Sequence, residues 1–232
     1  MVEFIKKRMS EFHFTEDYRS VVGKLIKEND FETAMSLAVG GDWKEMGDKL
    51  SKFVQSQGVK SGMDLLDFGC GNGRLAYALS KDIDLNSYVG VDIIQEFLTY
   101  AEKKCPNNYK FILNNSLSIP LSGFQFDFVV GFSIFTHLFQ AEIMIYSEQI
   151  FKLLKPGGTF LYSFLELEHH WETFEKTYND HKEYSRPYPH LNMFLDRNQV
   201  RTFACKCGFI LEKFIEAQDD IGQSIVILKK PN

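Results

Sequence analysis

The feature that most constrains this chain is a short apolar run that leads into three closely spaced glycines and then a helical pattern. The run Met63–Phe68 is followed at once by the turn Gly69–Gly73. Glycine permits positive φ angles and lets a ligand approach the backbone, because there is no Cβ in the way. The first turn of the next helix offers unpaired N–H donors. This segment therefore predicts a strand, a ligand-binding turn and a helix.

An acidic residue stands where a second predicted strand ends. Asp92 lies nineteen residues after Gly73 and closes the apolar segment that begins at Val89. A carboxylate at this place can accept hydrogen bonds from both hydroxyls of a ribose. The dinucleotide fingerprint requires glycine three residues after Gly71, where this chain has Arg74. The pattern therefore favours a nucleoside without a pyrophosphate over a nicotinamide or flavin dinucleotide.

Beyond residue 62, short apolar runs alternate with helical patterns, which predicts βαβ units and a mainly parallel sheet. We predict strands at Met63–Phe68, Ser87–Asp92, Tyr109–Leu113, Phe126–Gly131 and Thr159–Leu165. Helices are predicted between them at Gly73–Ser80, Ile94–Lys104 and Gln140–Leu154. A C-terminal hairpin is predicted from Phe209–Ile215, a polar turn at Asp219–Gly222, and Ser224–Lys229.

Two segments fall outside this alternation. Residues 1–60 predict a helical extension, with one helix over Asp17–Leu37 and another over Trp43–Gln57. Its aromatic residues either form the buried face of those helices or cover a ligand; they are Phe12, Phe14, Tyr18 and Trp43. The insertion at about 166–197 is rich in histidine and aromatic residues, and segments this long are usually lids or binding loops, though some are disordered.

Bulk properties exclude several classes of protein. The chain has 232 residues and a formal net charge of -5, which suits one main domain and gives nucleic acid little to attract. Asp127 and His137 interrupt the longest apolar stretch, so no membrane helix is predicted, and the N-terminal residues lack the apolar run of a secretory signal. The four cysteines favour a reducing cytoplasm and, with one CxC pair alone, predict no structural metal.

With these motifs in order, the sequence resembles the class I S-adenosylmethionine (SAM)-dependent methyltransferases over about residues 43–230. Asp67–Gly73 matches their first motif, DxGxGxG, and Asp92 matches their ribose-binding acid. The segment 111–116 resembles their third strand, with Asn115 where the family commonly has an aspartate facing the adenine amino group. Segments 126–130 and 153–158 are similar to the fourth strand and to the turn into the fifth.

The resemblance implies an α/β fold: a Rossmann-like, seven-stranded, mostly parallel sheet with an antiparallel last strand and helices on both faces. It implies a lid-like helical extension at residues 1–60 and a methyltransferase domain at 61–232. SAM is the implied cofactor. In this resemblance the glycines pack beside the methionine part of SAM, and Asp67 places its amino group. The implied cofactor-binding residues are Asp67, Gly69, Cys70, Gly71, Gly73, Asp92, Ile93, Asn115, Ser116 and Phe132.

The expected reaction is in-line methyl transfer to an oxygen or nitrogen atom of a small-molecule acceptor, for which alignment is the main task of the protein. His137, after the fourth strand, is an acceptor contact or base, or else a residue that packs the loop. Glu166, His169 and His170, after the fifth strand, either contact the acceptor or form a solvated surface. Two other functions stay open: a binding or scaffolding subunit with this fold, and a nicotinamide-dependent reductase.

Overall fold

The alternation of apolar runs and helices builds one seven-stranded sheet in the computed structural model, which describes residues 15–185, 191–217 and 221–232. The strand order is β3-β2-β1-β4-β5-β7-β6. Strands β1 to β5 pair in parallel, whereas β7 is antiparallel to both β5 and β6. The predicted seven-stranded sheet with an antiparallel last strand is confirmed. The strands are β1 (Asp64–Phe68), β2 (Ser87–Asp92), β3 (Lys110–Leu113), β4 (Phe126–Gly131), β5 (Leu154–Phe164), β6 (Ile210–Ile215) and β7 (Ser224–Lys229).

Eight α-helices and one 3-10 helix accompany the sheet within the described residues. The 3-10 helix, Phe135–His137, follows β4 directly. The α-helices are α1 (Thr15–Glu28), α2 (Phe31–Ala38), α3 (Trp43–Ser56), α4 (Arg74–Asp82), α5 (Gln95–Lys104), α6 (Gln140–Leu153), α7 (Trp171–Tyr184) and α8 (Arg197–Lys206). In this part of the chain no helix has the length and apolar character needed to cross a membrane.

The extension differs from its prediction in one respect: the single helix expected over Asp17–Leu37 is two helices. Asp30 ends the continuity, because its side chain accepts the backbone N–H of Thr33 at 3.1 Å and so caps α2. Such caps favour a new helix start over continuation. Of the aromatic residues noted in the extension, Phe12 and Phe14 lie outside the described residues, as do residues 186–190 of the insertion and residues 218–220 of the hairpin turn.

Apolar side chains cover both faces of the sheet. One face packs against α6 and α8 through residues such as Ile150 and Val200, and the other against α3 and α4 through Val54 and Leu79. A third cluster joins α1 and α2 to α5. Because the strand order reverses on either side of β1, the carboxyl ends of β1, β2 and β4 form the crevice where open α/β sheets bind ligands. The helices α1 and α2 lie over this edge.

Candidate active site

The turn after β1 has the geometry that its glycines predict. Gly69, Gly71 and Gly73 have φ angles of 82°, 54° and 80°, a region that residues with a Cβ rarely adopt. Gly73 caps the N-terminus of α4, and a Cβ on it would lie 2.6 Å from the Cβ of Ala101. Gly69 and Gly71 line the cavity described below, whereas Gly73 is needed for packing against α5.

Asp92 holds the turn and the second strand together. One carboxylate oxygen accepts the backbone N–H of Gly71 at 2.8 Å, and the other accepts that of Ile94 at 3.0 Å. Each carboxylate oxygen has a second lone pair, so these bonds leave acceptor capacity for ribose hydroxyls. Burial raises the pKa of Asp92 to about 6, although the backbone N–H groups oppose this shift. Asp92 is therefore ionised at neutral pH and faces the cavity.

Asp67, at the end of β1, is a second acid in the same wall. The hydroxyl of Tyr88 donates to its Oδ2 at 2.5 Å. Burial raises the pKa of Asp67 to about 7; the Tyr88 hydrogen bond lowers it, and the charge of Asp92 raises it again. The two acids thus share a partly desolvated wall in which added positive charge would be stabilised.

At the β3 end of the crevice, Asn114 lines the cavity, whereas Asn115 and Ser116 do not. The Oδ1 of Asn114 accepts the backbone N–H of Ser116 at 3.2 Å and its hydroxyl at 3.0 Å. The hydroxyl of Tyr146 donates to the carbonyl of Ser116 at 2.9 Å, which fixes the same loop against α6. The roles of Asn115 and Ser116 toward adenine stay predictions.

These residues enclose a cavity of about 480 Å³ that α1 covers. Its polar half, as we use the term, consists of Asp67, Asp92 and the turn residues 69–72. Its apolar half consists of Val21 on α1 and of side chains that follow β4, namely Phe132, Ile134 and Leu138. Cys70 and Ile93 also line the cavity, as expected from sequence.

The extension is attached to the glycine-rich turn by side chains whose role the sequence did not reveal. The amide of Asn72, fully buried, accepts the indole N–H of Trp43 at 2.7 Å and donates to the carbonyl of Met35 at 2.7 Å. The guanidinium of Arg74 donates to the carbonyls of Val39 and Gly40 at 3.1 and 2.9 Å. The turn that borders the cavity is therefore also bonded to the described part of the extension, residues 15–60, which we call the cover.

His137 and Tyr18 meet in the wall of the cavity. Their rings contact edge to face with centroids 5.6 Å apart, which brings α1 against the 3-10 helix. The Nδ1 of His137 lies 2.6 Å from the carbonyl oxygen of Leu191. A carbonyl cannot donate, so Nδ1 carries the proton of this hydrogen bond, and in the neutral ring Nε2 is then the acceptor. Among the four residues proposed from sequence for the acceptor, His137 lines the cavity.

Glu166, His169 and His170 do not line it. Arg197 donates two hydrogen bonds to buried Glu166, at 2.8 and 3.0 Å, and the hydroxyl of Ser224 donates a third at 2.5 Å. His169 lies 3.1 Å from Glu216. Glu166, His169 and Glu216 could offer three atoms to a metal ion, but Arg197 also pairs with Glu216 at 2.7 Å and supplies the positive charge there. The cluster joins the start of α7 to α8 and β7. The role of these three residues toward an acceptor stays a prediction.

Comparison with known proteins agrees with this geometry. A family model described as a methyltransferase domain matches residues 59–223. Among curated relatives, demethylmenaquinone methyltransferase of Staphylococcus aureus is 28% identical over 111 residues, which are 46% of this chain and 45% of the relative. Cyclopropane-fatty-acyl-phospholipid synthase of Escherichia coli is 32% identical over 114 residues, 49% of this chain and 29% of the relative. The matched parts thus span less than half of each relative.

Solved structures share the fold at low sequence identity. Magnesium protoporphyrin IX methyltransferase from Synechocystis PCC 6803, with bound S-adenosylhomocysteine (SAH), superposes with a TM-score of 0.62 and 17% identity over 85% of this chain and 86% of that one. The CcbJ methyltransferase from Streptomyces caelestis gives 0.63 and 15%, over 80% and 90%. With the family model, the intact glycine-rich turn and Asp92 in the cavity wall, these likenesses show that the chain belongs to the class I SAM-dependent methyltransferases, whose methyl-donating cofactor is SAM.

Proposed function

We propose that this protein transfers the methyl group of SAM to an oxygen or nitrogen atom of a small-molecule acceptor by in-line displacement. The observation that supports this most directly is that Asp92 and His137 line the same cavity. Its volume of about 480 Å³ falls in the range of small-molecule sites, about 300–1,000 Å³. A cavity covered by α1 suits a small acceptor better than a segment of nucleic acid.

In this proposal the polar half holds the cofactor. Asp92 accepts the ribose hydroxyls, and the backbone of Gly69–Gly71 borders the methionine part without a Cβ in the way. Asp67 places the amino group through water. Asn114 and its neighbours border the adenine. The sulfonium then lies toward Phe132, beside the apolar half.

Alignment accounts for most of the rate in such a reaction. The acceptor lone pair attacks the methyl carbon, the carbon–sulfur bond breaks, and its electron pair returns to sulfur. Well-oriented reactants recover about 7–11 kcal/mol of barrier. If the acceptor carries a proton, Nε2 of His137 takes it in this proposal; the support is that His137 lines the cavity and that the Leu191 carbonyl fixes the proton of the ring on Nδ1. General base catalysis of this kind adds about 10² to 10⁴ in rate.

We also propose that residues 1–60 are a lid-like extension and that the insertion at 166–197 in the 61–232 domain belongs to the acceptor site. Support for the insertion comes from its far end and not from His169. Besides the Leu191 contact with His137, the backbone N–H of Met193 donates to the carbonyl of Thr136 at 2.7 Å. These two hydrogen bonds hold Thr136 and His137 of the 3-10 helix against the insertion.

The names of the relatives support a small organic acceptor. They include methyltransferases of demethylmenaquinone and of magnesium protoporphyrin IX. Both names denote small organic substrates, although each relative differs from this chain over most of its sequence.

A methyl-transfer screen tests the proposal. The protein is incubated with SAM and a metabolite extract, and products are detected by the mass gain of one methylene. We expect a product with the wild type, none with Asp92→Ala at limiting SAM, and at least a hundredfold slower turnover with His137→Gln at unchanged SAH affinity. His169→Ala is the matched control, because that ring lies outside the cavity. Loss of turnover in the His169 variant alone would move the acceptor site to the Glu166 cluster.

A further inference from the structure

The charged groups of the cavity wall lie on one side of it. Within the described residues, the charged side chains that line it are Asp67, Arg74 and Asp92. All three lie in β1, in β2 or at the first residue of α4, beside the turn where the cofactor is proposed to bind. Arg74 uses its guanidinium on the carbonyls of Val39 and Gly40 in the cover. In the part of the chain that the structure describes, the one full positive charge of this wall is thus directed at the extension.

The apolar half offers mainly hydrocarbon and aromatic surface. Val21 faces it from α1, whereas Ser20, one residue earlier, is exposed on the outside of the same helix. Phe132, Ile134 and Leu138 face it from the segment after β4. Such a wall stabilises apolar surface removed from water, and its hydrocarbon does not replace the hydration of an ionised group.

Tyr18 supplies a polar group at the boundary of the two halves. Its ring contacts that of His137. Burial raises the pKa of Tyr18 above its usual value, and the charge of Asp92 raises it further. Tyr18 is therefore a phenol at neutral pH, which can donate or accept a hydrogen bond but does not act as a phenolate base. Tyr18 and Asp92 line the same cavity.

Resting on the proposed function, we propose that the acceptor is an uncharged, mainly apolar molecule with one hydroxyl or amino group. In this proposal Tyr18 is a specificity-determining residue that positions this group beside Nε2 of His137. An anionic acceptor would lie in the same cavity as the charge of Asp92, and within the described residues the wall directs no guanidinium or ammonium group at it. A cationic acceptor would be repelled by the sulfonium of SAM. A neutral acceptor avoids both costs and gains from burial against Val21 and Leu138.

Binding of matched probe pairs to the SAH-saturated protein tests the acceptor class. The aromatic pair is 2-naphthol and 6-hydroxy-2-naphthoate, and the aliphatic pair is decanol and 10-hydroxydecanoate. We expect each uncharged probe to bind at least tenfold more tightly than its carboxylate partner. Val21→Glu should weaken 2-naphthol at least tenfold with SAH affinity within twofold of wild type. Ser20→Glu is the matched control, because it adds the same charge on the outer face of α1.

The role of Tyr18 is tested with Tyr18→Phe, which keeps the ring and removes the hydroxyl. We expect 2-naphthol to bind about fivefold more weakly to this variant, and naphthalene, which has no hydroxyl, to bind equally to both proteins. A merely structural role would weaken both probes alike and would overturn the assignment of Tyr18.

The acceptor class is overturned if a carboxylate probe binds as well as its uncharged partner, or if neither uncharged probe binds while SAH does. Those results would leave the proposed methyl transfer intact. Failure of SAH itself to bind would instead overturn the proposed function, so the two failures are distinguishable.

Discussion

The two halves of the cavity are assembled from the chain in different ways. The polar half comes from two neighbouring strand ends, and backbone N–H groups of Gly71 and Ile94 fix Asp92 directly. The apolar half comes from segments far apart in sequence: α1, the residues after β4, and the Leu191 carbonyl. In the proposed function, cofactor recognition thus depends on one local motif, whereas acceptor recognition depends on how distant segments pack. Substitutions in the protein can separate the two halves or test the link between them.

The largest expected effect is on the turn. Gly71→Val should lower SAM affinity by more than a hundredfold, because Gly71 has a φ of 54° and a Cβ there would lie 3.4 Å from Val39 of the cover. Gly123→Val is the matched control: its φ is 83°, but a Cβ there would meet nothing within 4 Å. Calorimetry gives the affinities and circular dichroism checks the fold. Equal affinity in both variants would show that the turn does not border the cofactor.

Asp92→Ala should weaken SAM binding at least tenfold, equivalent to about 1.4 kcal/mol, because it removes the acceptor of the ribose hydroxyls. Asp92→Asn keeps one acceptor oxygen, so its loss should be smaller. Asp92→Ala also removes the acceptors of the backbone N–H groups of Gly71 and Ile94, and Asp92→Asn removes one of these two acceptors. A thermal melt of each variant therefore accompanies the titration. Unchanged affinity in a folded Asp92→Ala protein would refute the ribose assignment.

Much of the polar half was predictable, because it depends on short-range sequence. The glycines, Asp67 and Asp92 lie in a motif whose spacing fixes a strand, a turn and a helix, and the structure places them together. That Asn114 lines the cavity and Asn115 does not was beyond the sequence, since spacing alone does not settle which residue after β3 turns inward.

The apolar half was not predictable to the same degree. Nothing in the local sequence pairs Tyr18 with His137, or Asn72 with Trp43, because these contacts join segments 29 or more residues apart. Likewise, the position of Glu166 after a strand suggested a ligand, but Arg197 and Ser224, distant in sequence, engage its carboxylate. Single-sequence patterns carry no information on such pairs.

The pH dependence of folding stability tests the burial of Asp67 in the polar half. The pKa of Asp67 in the folded protein is about 7, above the ordinary value of 3.8 expected when the chain is unfolded. Between these values the folded state holds a proton that the unfolded state has released, so the contribution of Asp67 to stability falls as pH rises from about 4 to 7. Asp67→Asn removes this titration and still accepts the hydrogen bond of Tyr88.

The melting temperature of the wild type minus that of Asp67→Asn should therefore fall by several degrees between pH 5 and pH 8, given about 2–4 °C per kcal/mol in a chain of this size. Differential scanning calorimetry of the two proteins measures this difference, in which other titrating groups cancel. A difference that is flat or rises with pH would contradict the buried, partly protonated Asp67.

The smallest expected effect concerns the link between the turn and the cover. Trp43→Phe removes the indole N–H that donates to Asn72, and should cost about 1 kcal/mol of unfolding free energy with a several-fold weaker SAM affinity. Trp171→Phe is the control, because Trp171 is 57% exposed on α7, outside the cavity. Denaturant titration compares the two. Identical stabilities would mean that the Trp43 hydrogen bond does not hold the extension.

Calorimetric titration of the wild-type protein with SAH, and separately with NAD⁺, tests most directly the claim that the glycine-rich turn and Asp92 form a SAM site. The chain has Arg74 where a dinucleotide site needs glycine, and Asp92, the proposed ribose acceptor, lines the cavity. We predict saturable one-to-one binding of SAH, no detectable binding of NAD⁺, and displacement of SAH by SAM. Binding of NAD⁺ in place of SAH, or no binding of either SAH or SAM to the folded protein, would contradict the account.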